Sequence, residues 1–139
     1  MNLRPELGVN VVGYFSTESG LGAAARGYVR ALRSLAVPCS VRDVSELSVG
    51  HRAEDRTLTG FDLESPHEVN LVCVNAEQHF SAMEHLGADW FGSRYNIAAW
   101  AWELPRFPAK WSDRFRYYDE IWAGSSFTVN ALAEASPIP

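Results

Sequence analysis

"VNVVGYF" (residues 9–15) runs directly into "STESGLGAAARGYVRAL" (residues 16–32). The first stretch has the length and β-branched content of a buried strand. Past a short polar bend, Leu21, Ala25, Tyr28, Leu32 and Leu35 step by four and three, which is one face of a helix, and Arg26, Arg30 and Arg33 fall on the opposite face. Pro38 ends that helix, because proline disfavours the helical conformation of Val37 before it. The unit is therefore strand, glycine-containing bend, helix. The bend carries Gly20 and Gly22, and such an arrangement presents backbone N–H groups to a negatively charged guest.

The same alternation continues along the chain. "CSVRDV" (residues 39–44), "VNLVCVN" (69–75), "YNIAAWAWE" (95–103) and "DEIWAGS" (119–125) read as further strands. The third strand, "VNLVCVN", is the most continuously apolar and so central. "EQHFSAMEHLGADWF" (77–91) reads as a helix ending near Gly87. "PAKWSDRFRYY" (108–118) reads as a helix opened by Pro108, with Trp111, Phe115 and Tyr118 in an apolar stripe. "SFTVNALAEAS" (126–136) reads as a helix capped by Ser125 or Ser126. Residues 45–68 lack periodicity and read as a loop with one helical turn. Strands alternating with helices predict an α/β fold: one open, Rossmann-like parallel sheet with helices on both faces, filling residues 1–139 as a single domain.

Composition narrows the function. The chain is 47% hydrophobic and 21% charged, as soluble globular proteins are. The whole net charge of −5 sits in residues 43–68, so the remainder is neutral. With a pI of about 5.3, nucleic acid is not an expected partner. No apolar run approaches the roughly 18 residues of a membrane span, and the first residues lack the apolar core of a signal peptide, so the expected compartment is the cytoplasm. Lys110, Arg114 and Arg116 could meet an anionic lipid surface, placing the protein at the inner membrane face; an amphipathic helix packed on the sheet has the same pattern. Cys39 and Cys73 read as reduced core thiols.

In an open parallel sheet, ligands bind where the strands end at their carboxyl tips. Three clusters fall there. Gly20 and Gly22 allow close backbone approach to a phosphate, or serve only a tight strand–helix turn. Gly20-Leu21-Gly22-Ala23-Ala24-Ala25 also fits the dinucleotide fingerprint, with Asp43 placed for a ribose hydroxyl, although four residues part the strand from the first glycine. In "WAWELPRFPAKW" (100–111), Glu103 ends a strand beside Trp100, Trp102 and Trp111. Rings can cover the apolar face of a sugar while the carboxylate accepts from, or deprotonates, a hydroxyl. The plainer alternative makes the tryptophans core and pairs Glu103 with Arg106. Asn75, Glu77 and Gln78 form the third cluster, where Asn75 either reads a hydroxyl or caps the next helix. His51, His67, His79 and His85 have no zinc-site spacing, so no metal is expected. Ser125 lacks the setting of a hydrolase nucleophile.

"ESGLGAAARGYVRAL" (18–32), "YNIAAWAWELPRFPAKW" (95–111) and "YDEIWAGSSFTVNAL" (118–132) resemble the amino-terminal half of GT-B retaining glycosyltransferases, the group 1 (family 4) enzymes. The resemblance covers nearly the whole chain except residues 45–68. It implies an acceptor-side domain facing a second, donor-gripping domain, with a nucleotide-sugar as co-substrate and no permanently bound cofactor. It places Ser19, Gly20, Leu21 and Gly22 in the loop that approaches the donor phosphates, and a glycan or lipid-linked acceptor against Asn75, Glu77, Gln78, Trp102, Arg106 and Ser125. Many members have a histidine where Glu103 stands, and often another where Asn75 stands. The family's second domain, which carries its basic residue and E-x7-E segment, is absent from these 139 residues, so the chain is expected not to transfer sugar alone. Two other readings stay open: a dinucleotide-dependent oxidoreductase domain, and a non-catalytic module that associates as a homodimer through the flank a second domain would cover.

Overall fold

The computed structural model describes residues 7–48 and 60–139. Five strands, β1 (Val9–Gly13), β2 (Cys39–Asp43), β3 (Val69–Cys73), β4 (Tyr95–Ala99) and β5 (Glu120–Trp122), form one sheet in the order β2-β1-β3-β4-β5. Every neighbouring pair is parallel. Helices α1 (Gly20–Ser34), α2 (His79–Leu86) and α3 (Ser126–Ala133) connect or follow them, with a 3-10 stretch over Ala109–Tyr117. The expected α/β open sheet is present. Strand order reverses between β1 and β3, which makes their carboxyl ends the topological switch point.

Alternation along each strand sorts the core into two layers. Val11, Leu71 and Ile97 pack on one face with Ala25 and Val29 of α1. Val12, Val72 and Ala98 pack on the other with Ala82 and Leu86 of α2 and with Phe115 and Tyr118. Both faces are covered, so the strands read as continuous apolar runs rather than alternating ones. The polar exception is a ladder across four strands. The Ser40 hydroxyl donates to Asn10 Oδ1 at 3.0 Å, Asn10 Nδ2 to Asn70 Oδ1 at 2.8 Å, and Asn70 Nδ2 to Asn96 Oδ1 at 2.8 Å. The backbone register pairs these same residues. A strand slipped by one residue would leave buried amides unpaired, so the ladder fixes the register.

Several sequence expectations need correction. The strand expected over residues 95–103 ends at Ala99. Trp100 N still donates to Trp122 O at 3.0 Å, but Ala101 N turns to the Asn75 side chain and the backbone leaves the sheet. The segment expected as an α-helix over 108–118 winds as a 3-10 helix with Pro108 just outside it. Its stripe is nevertheless as expected, with Phe115 and Tyr118 buried and Trp111 half-buried. Arg26, placed on the solvent face by periodicity, is buried, whereas Leu35 is exposed at the helix end. The expected turn after β2 is the 3-10 turn Ser45–Leu47, and residues 49–59 of the same loop lie outside the described residues. Asp62 covers the outer edge of β2 by exchanging backbone and carboxylate hydrogen bonds with Val41. Cys39 and Cys73 are free thiols; they pair with opposite ends of β1, at Val9 and Gly13, too far apart to be bridged. Among the described residues no helix is long and apolar enough to cross a membrane.

Candidate functional site at the carboxyl ends of the strands

The bend after β1 is held from three directions. Ser19 caps α1, its hydroxyl accepting from Gly22 N at 3.0 Å. Beneath it, the Arg26 guanidinium donates to Phe15 O at 3.1 Å and Thr17 O at 3.2 Å. From the side, the Asp43 carboxylate accepts from Phe15 N at 2.9 Å, Ser45 N at 3.1 Å and the Ser16 hydroxyl at 2.6 Å. The two glycines divide their work. A Cβ on Gly22 would lie 2.5 Å from Thr17 O and 2.6 Å from Tyr14 O, so its bareness lets α1 pack on the bend. A Cβ on Gly20 would meet nothing within 4 Å. Gly20 is therefore exposed at the helix N-terminus, the half-buried Leu21 side chain packs against the core, and Ser19 and Gly22 are occupied in building the bend.

Asn75, at the end of β3, does not cap the next helix with its side chain. Its Oδ1 accepts from Ala101 N at 2.9 Å and ties the β3 tip to the chain leaving β4. Asn75, Glu77, Trp102, Phe107 and Trp111 border a narrow crevice against Trp100 and Ala101. The rings here stack on one another: Trp100 lies parallel to Phe107 at 5.6 Å, and Trp102 meets Trp111 edge-on at 5.4 Å. Trp100 is core, as one sequence reading had it, while Trp102 is half-buried and its Nε1 donates to Arg106 O at 2.9 Å. Glu103, Leu104, Pro105 and Arg106 form an exposed loop outside the crevice. The Glu103 and Arg106 side chains make no ion pair or hydrogen bond among the described residues, so the alternative that paired them is not what the fold contains.

On the other side of Trp100 and Ala101, a cavity of about 180 Å³ brings Leu21 of α1 together with Ser125. Ser125 is the N-cap of α3 and accepts from Thr128 N at 3.2 Å, while the Thr128 hydroxyl donates to Trp102 O at 3.0 Å. The bend after β1 and the β3 tip also sense each other electrically: burial, and then the Glu77 charge, push the Tyr14 phenol up to about 12. Gln78 lies one residue further into the turn, half-buried and away from both crevices. So the fold gathers Leu21, Ser125, Asn75, Glu77 and Trp102 around one ridge, Trp100–Ala101, and leaves Glu103 and Arg106 on its outer rim.

Periodicity missed Arg26, whose position four residues after Gly22 is the one signal that puts it under the bend. It also missed His79. That ring is fully buried, its Nδ1 lies 2.8 Å from the Tyr118 hydroxyl, and Phe91 and Tyr117 pack on it. Burial, helped by Arg114, lowers its pKa to about 4. A second cavity, about 770 Å³, opens beyond β1 and β2 between Ser16, Asp43, Asp62 and His85. Among the described residues no group of three or more His, Cys, Asp or Glu side chains is disposed to hold a metal.

By fold, the protein is an α/β protein with a Rossmann-like open parallel sheet whose strand tips form a polar and aromatic rim. No protein-family model, curated protein or solved structure matches the chain.

Proposed function

We propose that this chain is the acceptor-side domain of a glycosyltransferase that moves a sugar from a nucleotide-sugar to a glycan or lipid-linked acceptor. The observation that carries the reading is the ridge Trp100–Ala101, with the α1 bend on one side and an amide, a carboxylate and a tryptophan on the other. The Gly20 and Leu21 amides in the first turn of α1 would meet charge building on the departing diphosphate, an electrostatic role that needs no side chain. Asn75 Nδ2, Glu77 and the Trp102 ring would hold acceptor hydroxyls and C–H faces. Glu103 is exposed at the rim and free to orient an acceptor hydroxyl once a partner surface closes over it. The nucleoside half of the donor would be gripped by a second domain, as in the enzymes the sequence resembles, so the isolated chain is expected to show no transfer.

Titration of the isotope-labelled chain with nucleoside diphosphates and with NAD(H) tests this. The proposal expects amide shifts at Gly20 and Leu21 with either UDP or GDP, and no stronger response to NAD(H). Micromolar NAD(H) binding that perturbs Ser16 and is lost in Asp43→Ala would overturn it in favour of the oxidoreductase reading. Against that reading stands the Asp43 carboxylate itself, already engaged by backbone and hydroxyl donors of Phe15, Ser16 and Ser45. Turnover of a nucleotide-sugar by the purified chain alone would refute the need for a second domain.

A further inference from the structure

The cavity between the first turns of α1 and α3 has a chemistry that a phosphate or a sugar ring does not account for. Leu21, Ala24, Tyr28 and Trp122 line it with Cys73 and Ala99, and the Tyr28 and Trp122 rings meet at 5.9 Å. Its hydroxyls are turned inward: Ser125 accepts from Thr128 N, and Thr128 donates to Trp102 O. The Cys73 thiol is buried and held uncharged, its pKa pushed up to about 12. Of the side-chain polar groups that line it, the Tyr28 hydroxyl and the buried Trp100 Nε1 lack a hydrogen-bond partner among the described residues. A sugar ring buried here would lose several hydrogen bonds to water and regain two at most. An apolar group would lose none. The volume, about 180 Å³, is below the ~300 Å³ at which whole-ligand pockets begin, yet above the ~150 Å³ of a hydrocarbon-lined cavity that takes up benzene. It suits part of a molecule, a few carbons long.

We propose that this cavity seats the first carbons of a hydrocarbon chain, so that the acceptor is an alkyl- or prenyl-linked amphiphile rather than a free glycan. Calling that ligand an acceptor rests on the glycosyltransferase reading; the cavity's preference for hydrocarbon does not. Leu21 belongs both to the cavity wall and to the first turn of α1, so a chain seated there would carry its polar head beside the Gly20 and Leu21 amides.

Monomeric n-alkyl β-glucosides from methyl to octyl, below their micellar concentrations, are the probe. Affinity should rise about fourfold per methylene, the factor that ~0.8 kcal/mol per buried CH₂ converts to, and level off once the cavity is full. The Trp122 indole and Ala24 amide resonances should move with it. Ala24→Phe, on an exposed helical position that lines the cavity, should weaken octyl glucoside at least tenfold. Ala23→Phe, exposed beside it but outside the cavity, should not. Equal affinity for methyl and octyl glucosides, or indifference to Ala24→Phe, would overturn the proposal. So would concentration-dependent self-association that covers Trp122, because the occupant would then be a second copy. If octyl glucoside binds as described while nucleoside diphosphates leave Gly20 and Leu21 unmoved, the cavity stands and the transferase reading falls; the reverse result removes the cavity proposal alone.

Discussion

Gly20 and Gly22 look alike in the sequence and do different work in the fold. A methyl on Gly22 would strike two backbone carbonyls, Thr17 O and Tyr14 O, that Arg26 and the strand hold in place. Gly22→Ala is expected to lose about 1–3 kcal/mol of stability in urea unfolding, the usual range for overpacking. Gly20→Ala should stay within about 0.5 kcal/mol of the parent, as open surface changes do, while weakening any response to nucleoside diphosphates. His79 supplies a pH dependence whose sign is fixed by its burial. The ring is neutral in the folded state down to about pH 4, whereas the unfolded chain takes up the proton near the ordinary value of about 6.5. The unfolded state therefore binds more protons between those limits. Stability contributed by the neutral ring is fully present above about pH 6.5 and is lost as the pH falls toward 4, reaching about 3 kcal/mol. The groups acting on it are the Arg114 guanidinium, which lowers its pKa, and the Asp113 carboxylate, which raises it. Unfolding at pH 7 and pH 5 should differ in the parent, and the difference should shrink in His79→Gln. Neither role was legible beforehand, because a histidine or a glycine declares its neighbours only when strands distant in sequence are brought together.

At the scale of elements, the strands were legible because their apolar runs match a sheet buried on both faces. The residue within those runs that sets register was not singled out, although "VNVV", "VNLV" and "YNIA" each carry an asparagine in second place. Asn70 sits in the middle of that ladder, bonded to both Asn10 and Asn96. Asn70→Ala would take from Asn96 Oδ1 its hydrogen-bond donor and from Asn10 Nδ2 one of two acceptors, the other being His67 O, and is expected to cost about 1–3 kcal/mol in urea unfolding at neutral pH. Ser19→Ala removes a single helix cap and should cost about 1 kcal/mol. The helix expected over residues 108–118 failed as an α-helix but kept its stripe. Its cations lie over rings, Lys110 over Trp111 at 5.0 Å and Arg114 over Phe80 at 4.5 Å. The segment is packed on the core through Phe115 and Tyr118, and tertiary packing of large rings outweighed the local preference for 3.6 residues per turn.

Across the whole molecule, the strand order decides what can meet. Reversal between β1 and β3 brings the α1 bend beside Asn75, and the next strands extend the same rim to Trp102 and Ser125. The rim is tied by hydrogen bonds from Ala101 to Asn75 and from Thr128 to Trp102, and is exposed at Glu103 and Arg106. By itself the sequence determined the alternation of strand and helix, the position of the glycine bend at a strand tip, and a serine cap, Ser125 or Ser126, on the last helix. Each of these is set by residues a few positions apart, through periodicity, backbone freedom or a local hydrogen bond. Only the tertiary structure decided that Gly22 serves packing while Gly20 faces outward, that Arg26 lies beneath the bend, and that Trp100–Ala101 parts an aromatic crevice from an apolar cavity. Those outcomes depend on which strand tips become neighbours, and strand order is set by the packing of both faces of the sheet at once, which no local pattern in the chain encodes.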